Sequence, residues 1–208
     1  EEAAEVLLKI DPLASCQPTV EEFIKSIDAK LKADEKARWE FKIKQYEDNP
    51  QQYYHQDRKN EARDFKMSFS QIHIQEHSIW KSDVERLTNI YKTYLEIYKK
   101  DCAITDNMWP INCTLEKIRM KRYLPNDKDM FGSHVDVTDH ETARRFLVFF
   151  LYLDNNKAGQ TTFSRTDFSA SCKKGSLLMF PPMCPWLHAG EKPVDKPKYM
   201  IGSYLHYT

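Results

Sequence analysis

The sequence predicts an α+β fold, with helices of the N-terminal half packed against a β core of sandwich or jelly-roll type in the C-terminal half. Two features of its punctuation carry that prediction. All five glycines (Gly132, Gly159, Gly175, Gly190 and Gly202) lie after residue 131 and six of the ten prolines beyond residue 124, and both residue types mark tight turns between short strands. The first half, without a glycine, instead carries apolar residues at helical spacing.

Taken in order, Thr19-Val-Glu-Glu22 reads as a capping box ahead of Phe23, Ile24, Ile27 and Leu31, which recur at helical spacing. A charged stretch from Asp34 to Asn49, with Trp39, Phe41, Ile43 and Tyr46 set into it, reads as a second helix with a solvated face. Ser68 to Ile74 alternates and predicts a strand. Ser82 with Glu85 forms another capping box, before a stripe of Val84, Leu87, Ile90, Tyr91, Tyr94, Leu95 and Tyr98 that predicts a helix packed on the β half. Beyond residue 114, alternation over Ile118 to Tyr123 predicts a strand. Arg145 to Leu153 is a nearly continuous apolar run, as in a strand buried on both faces. Thr161 to Phe163, Ser176 to Phe180 and Tyr199 to Tyr207 complete the strands. The expected division is a mainly helical region, 1–112, bracing a jelly-roll core, 113–208, within one compact domain of 208 residues.

Charge and composition exclude several classes. Lys and Arg number 31 against 31 Asp and Glu, which argues against a nucleic-acid binder with a general basic face, and no apolar run is long enough to cross a bilayer. The five cysteines are odd in number and contain no C-x-x-C pair, so a reducing compartment, the cytoplasm, is expected. Glu1 stands where an initiating Met is absent, so a trimmed start is expected.

The chemistry opens on His134-Val-Asp136, since residues two apart on a strand share a face and can grip one ion. His188 follows the strand Gly175 to Phe180 and a turn that can return it across a jelly roll to that pair, although spacing alone does not establish a shared site. Two His and one carboxylate on one face of an octahedron leave three positions open, the arrangement of non-haem Fe(II) oxygenases. Lys198, at the start of a neighbouring strand, can pair with the far carboxylate of a bound diacid.

His134-x-Asp136, Ala158-Gly159-Gln160-Thr161-Thr162-Phe163, Lys174-Gly175-Ser176-Leu177-Leu178-Met179-Phe180, His188-Ala-Gly190 and Lys198, in that order, resemble the motifs of Fe(II)/2-oxoglutarate-dependent dioxygenases, in particular their prolyl 4-hydroxylase-like branch. The resemblance covers roughly residues 115 to 208. It implies a double-stranded β-helix, with His134, Asp136 and His188 as iron ligands and Lys198 as partner of the distal carboxylate of 2-oxoglutarate. It further implies Tyr123 near that cosubstrate, dioxygen as co-reactant and ascorbate as a candidate reductant. Ala158 and Gln160 depart from the family pattern and bear on substrate class. The presence of Asp136, which related halogenating enzymes replace with a small residue, favours hydroxylation. The implied reaction hydroxylates a C–H bond of a protein residue, proline among the candidates, or of a small amino-acid-like molecule, with release of succinate and CO2.

Other polar residues have simpler readings. Arg145, at the start of a buried strand, is expected to be a structural ion-pair partner, and Trp186 a core residue. His73 and His77 are read as part of a strand region rather than a metal pair, and His55, His140 and His206 as surface or core histidines. Segments 51–64 and 126–133 are expected to close over substrate. Two competing functions remain: a catalytically silent jelly-roll binding module, which the intact motif residues oppose, and a nucleic-acid demethylase of the same chemistry, which Lys198 and the zero net charge oppose. The oligomeric state is open.

Overall fold

A computed structural model describes residues 25–28, 33–61 and 65–208. Among the described residues, helix α1 (Ala33–Asp48) and helix α2 (Lys81–Asp101) accompany twelve strands: β1 (Lys25–Asp28), β2 (Tyr54–Asn60), β3 (Phe65–His73), β4 (Cys113–Leu115), β5 (Arg119–Tyr123), β6 (Met130–His134), β7 (Arg145–Tyr152), β8 (Thr161–Phe163), β9 (Ser169–Ala170), β10 (Ser176–Phe180), β11 (His188–Gly190) and β12 (Lys198–Tyr207). All pairings are antiparallel. The sheet runs β1-β10-β7-β12-β5-β3-β6-β11-β8-β9, with β2 added to β3 and β4 to β12, and folds over itself as a jelly roll.

Alternation along the central strands divides the core into two layers. On β7, Leu147, Phe149 and Leu151 join Trp39 and Tyr46 of α1 and Leu87, Tyr91 and Tyr98 of α2 outside the barrel. Val148, Phe150 and Tyr152 join Leu178, Phe180, Met200 and Tyr204 inside it. A strand with apolar chains on both faces reads as the continuous run seen in the sequence. Tyr91 stacks on Phe149 with centroids 4.7 Å apart, so the helical tyrosine stripe is packing surface.

Several expectations need correction. The first capping box lies outside the described residues. Within the helix expected after it, Lys25–Asp28 instead pairs with β10, Ile27 opposite Leu177; the open edge of β10 outweighs a short local periodicity. Ser82 lies inside α2 rather than at its cap, and its hydroxyl accepts from Arg38 Nη2. Residues 130–133 of segment 126–133 are no lid, because they belong to β6, wedged between β3 and β11. Residues 54–60 of segment 51–64 form strand β2. Three strands preceding residue 113 therefore belong to the same sheet as the C-terminal ones. Among the described residues, no helix is long and apolar enough to cross a membrane.

Candidate active site

His134 ends β6 and His188 begins β11, and the antiparallel register sets them directly opposite each other. Their ring centroids lie 4.3 Å apart. Pairing in the sheet, rather than a returning loop, brings the imidazoles together. Each ring is oriented through its other nitrogen. His134 Nδ1 lies 2.8 Å from the carbonyl of Gly132, and His188 Nδ1 3.0 Å from that of Trp186. A carbonyl can only accept, so both Nδ1 atoms carry the proton and both Nε2 lone pairs are free.

Asp136 is not on the strand. It lies in the bend after β6, where its N–H donates to Pro182 O at 2.8 Å. The same-face rule of a strand therefore does not place it; that backbone bond and Tyr204 do. Tyr204 Oη donates to Asp136 Oδ1 at 2.7 Å. The carboxylate then faces His134 Nε2 at 3.5 Å and His188 Nε2 at 3.4 Å. One donor atom from each of the three residues lies within 4.8 Å of the others.

The electrostatics fit a cation. Asp136 Oδ2 and His188 Nε2 are buried without a hydrogen-bond partner, an arrangement costly unless an ion engages both. Burial pushes the Asp136 carboxyl up, but the electrostatic pull of His188 and His134 and the hydrogen bond from Tyr204 outweigh it and hold the group well below the usual carboxylate range. Burial lowers the His188 imidazole to about 4 against the pull of Asp136, leaving it neutral and able to ligate near pH 7. Phe131 stacks on His134 with centroids 3.7 Å apart, and Phe180 meets His188 edge-on. The three donors can thus hold one metal ion.

Lys198 opens β12 inside the barrel and is 2% exposed. Its ammonium donates to Gly159 O at 2.7 Å and lies 4.6 Å from the ring of Tyr123, its cross-strand partner. No carboxylate approaches it within ion-pair distance among the described residues, and burial lowers its pKa against the pull of Cys172 and Glu191. A buried, uncompensated ammonium costs several kcal/mol, so the pocket it shares with Tyr123, His134 and His188 suits a carboxylate. Gly159 has φ +80°, and a Cβ there would come 3.1 Å from Lys198 Cδ; glycine lets the backbone carbonyl reach the ammonium.

Some site residues carried no signal in the sequence. Tyr204 looked like one more apolar position of a strand. Arg145 is the expected ion-pair partner: Nε and Nη2 bond Glu116 at 2.7 and 3.0 Å, while Nη1 donates to the Asp136 carbonyl at 3.2 Å and so also braces the metal loop. Lys121, on the inward face of β5, escaped notice altogether. Its alternation with Arg119 and Tyr123 was visible, but which face pointed inward was not. Trp186 packs partly buried beside the inner core, and His73 bonds Tyr54 Oη at 2.7 Å.

The model of the 2OG-Fe(II) oxygenase superfamily matches residues 118–206. That match takes in the triad and Lys198, and the chain that carries them is a dioxygenase enzyme working with Fe(II) and 2-oxoglutarate. No curated protein matches the chain in sequence. Among solved structures, the fold is similar to a viral collagen prolyl hydroxylase from Paramecium Bursaria Chlorella virus-1 in a 2OG complex, with TM-score 0.60, 15% identity, and 89% of this chain and 96% of that one covered. It is also similar to a Trichoplax adhaerens prolyl hydroxylase in complex with a hypoxia inducible factor peptide fragment, with TM-score 0.66, 14% identity, and 89% and 84% covered. A Pseudomonas putida prolyl-4-hydroxylase gives TM-score 0.57, 12% identity, and 91% and 97% covered.

Proposed function

We propose that His134, Asp136 and His188 ligate Fe(II), that Lys198 pairs with the distal carboxylate of 2-oxoglutarate beside Tyr123, and that the enzyme hydroxylates a C–H bond of a protein residue or a small amino-acid-like molecule, releasing succinate and CO2. The observation that carries this reading is the convergence of two Nε2 atoms and one carboxylate, with His188 Nε2 and Asp136 Oδ2 left unsatisfied. Prolyl residues are the first candidates, because two of the similar folds belong to proteins described as a collagen prolyl hydroxylase and as a prolyl hydroxylase with a bound peptide.

When bound, Fe(II) with 2-oxoglutarate supplies the activation of dioxygen that C–H hydroxylation requires. The chain's part is positioning. The Gly132 and Trp186 carbonyls hold the imidazoles with Nε2 inward, and Tyr204 holds the carboxylate. Lys198 neutralises one end of the cosubstrate, and its strand partner Tyr123 forms the adjoining wall. Phe131, Phe163 and Phe180 surround the imidazoles and exclude water from that side.

A panel of prolyl peptides, other peptides and free amino acids tests this, read by succinate formation and by a mass gain of one oxygen. Substrate-dependent product that Asp136→Ala abolishes is expected. Absence of succinate with every member, with Fe(II), 2-oxoglutarate and oxygen supplied, would favour a silent binding module instead.

A further inference from the structure

Beside the triad lies a cleft of 820 Å³, and its walls are charged in one sense. Among the described residues, Arg58, Lys59, Arg119, Lys121 and Arg145 line it, against the single carboxylate of Asp136. The whole chain has a formal net charge of zero, so this excess is local. It also survives loading, because the two positive charges of Fe(II) are balanced by the two carboxylates of 2-oxoglutarate.

Arg145 and Arg119 share Glu116 behind the wall. Lys121 has no such partner. It is 7% exposed, and its ammonium sits 4.8, 5.4 and 5.7 Å from the rings of Phe69, Phe131 and Phe150. Rings stabilise a cation through their quadrupole without cancelling its charge. Among the described residues, no ion pair engages that ammonium, and Asp136 is the carboxylate that pulls on it from further off. Lys121 is also one same-face step, roughly 7 Å along a strand, from Tyr123 and the proposed cosubstrate anchor, and so stands where the cosubstrate pocket opens into the cleft.

The shape of the cleft favours an extended ligand. Tyr54, Gln56 and Arg58, alternate residues of β2, form one side. Among the described residues β2 pairs only with β3, which leaves its other edge open for a strand to add. Beyond Arg58, Lys59 and Met67 a second cavity of 210 Å³ follows, where Lys66, Lys128 and Lys192 outnumber Asp57 and Asp127 in the wall.

We propose that the substrate is an acidic peptide segment, laid along the open edge of β2, with an Asp or Glu side chain paired to Lys121 next to the residue that is oxidised. The inference deepens the oxygenase reading and rests on it. Lys121 is a specificity residue in this account, while Lys198 serves the cosubstrate.

The test uses protein loaded with Fe(II) and 2-oxoglutarate under anaerobic conditions, so that binding is read without turnover. A random peptide pool is passed over the immobilised protein and the retained members are sequenced. Retained peptides are expected to be enriched in Asp and Glu. For a single acidic member of that pool, Lys121→Met should weaken binding about tenfold, the effect of one desolvated charge pair. Arg58→Ala, a change at an exposed position, should weaken it by a smaller factor. Affinity for 2-oxoglutarate, titrated without peptide, should stay the same in Arg58→Ala, and in Lys121→Met should fall by a smaller factor than peptide affinity does. Retention that ignores charge, no retention at all, or tighter binding of free glutamate or of a single-stranded oligonucleotide than of any acidic peptide would overturn the proposal. So would a fall in 2-oxoglutarate affinity in Lys121→Met as large as its loss of peptide affinity, which would assign that ammonium to the cosubstrate. Failure of the wild-type protein to bind 2-oxoglutarate would overturn the oxygenase reading beneath it, and that is read before any peptide is added.

Discussion

The phenol of Tyr204 reaches Oδ1 of Asp136 from 68 residues further along the chain, at 2.7 Å. This bond fixes which carboxylate oxygen stays bonded to protein and which, Oδ2, is left for an ion. Groups that orient a ligand from behind typically contribute a factor of about 10 to 100 in metal affinity. Tyr204→Phe keeps the ring packing and removes only the hydroxyl. Mn(II) or Fe(II) titration of the variant should show affinity lower by about tenfold at unchanged stoichiometry. Equal affinity would mean that the Pro182 bond alone places the carboxylate.

Lys198→Met should act on the cosubstrate and leave the metal alone. Methionine keeps most of the buried volume and removes the charge, so the KM for 2-oxoglutarate should rise by at least about tenfold, the effect of one charge-assisted pair. Metal affinity measured without cosubstrate should not change. An unaltered KM would refute the anchor assignment.

Gly159→Ala tests the same anchor through the backbone. At φ +80° any side chain is strained, and the new methyl would press on Lys198 Cδ. Stability should fall by about 1 kcal/mol or more, and the KM for 2-oxoglutarate should rise because the carbonyl that holds Nζ is displaced. Thermal unfolding and steady-state kinetics read the two effects separately.

Glu116 gives a pH signature. Burial raises its carboxyl, but the bond and charge of Arg145, with Arg119, outweigh burial and hold it below its ordinary value. A carboxyl whose folded pKa is depressed adds stability that is fully present above its unfolded value, about 4.3, and is lost as pH falls through the folded value. Glu116→Gln should therefore cost about 1–2 kcal/mol near neutrality, after allowance for partial solvent screening. The gap from wild type should close below about pH 4. Denaturant unfolding at several pH values checks this; a gap independent of pH would remove the charge pair as its cause.

The legible parts of the sequence were those set by local pattern. The two-sided burial of Arg145–Tyr152 and the stripe of Lys81–Asp101 both follow from periodicity. His134, Asp136 and His188 were identifiable by residue type and order. What placed them was not: the cross-strand register of His134 with His188 and the Tyr204 bond are long-range pairings that no window of sequence contains. Lys25–Asp28 misled for the related reason that its strand exists only because β10 offers an edge. Met130–His134 was obscured by the turn-rich residues just before it, Pro125 to Asp129, which made the whole stretch resemble a loop. Lys121 looked like any strand lysine, because its burial depends on Phe69, Phe131 and Phe150 from three other strands.

Anaerobic Fe(II) titration of the wild-type protein beside His134→Ala, Asp136→Ala and His188→Ala, followed by calorimetry, tests the central claim most directly. One ion per chain in the wild type is expected, with affinity lost by about 100-fold or more in each variant, since every change removes a direct ligand. Stoichiometric binding of undiminished strength in any one of the three variants would contradict a single centre shared by these side chains.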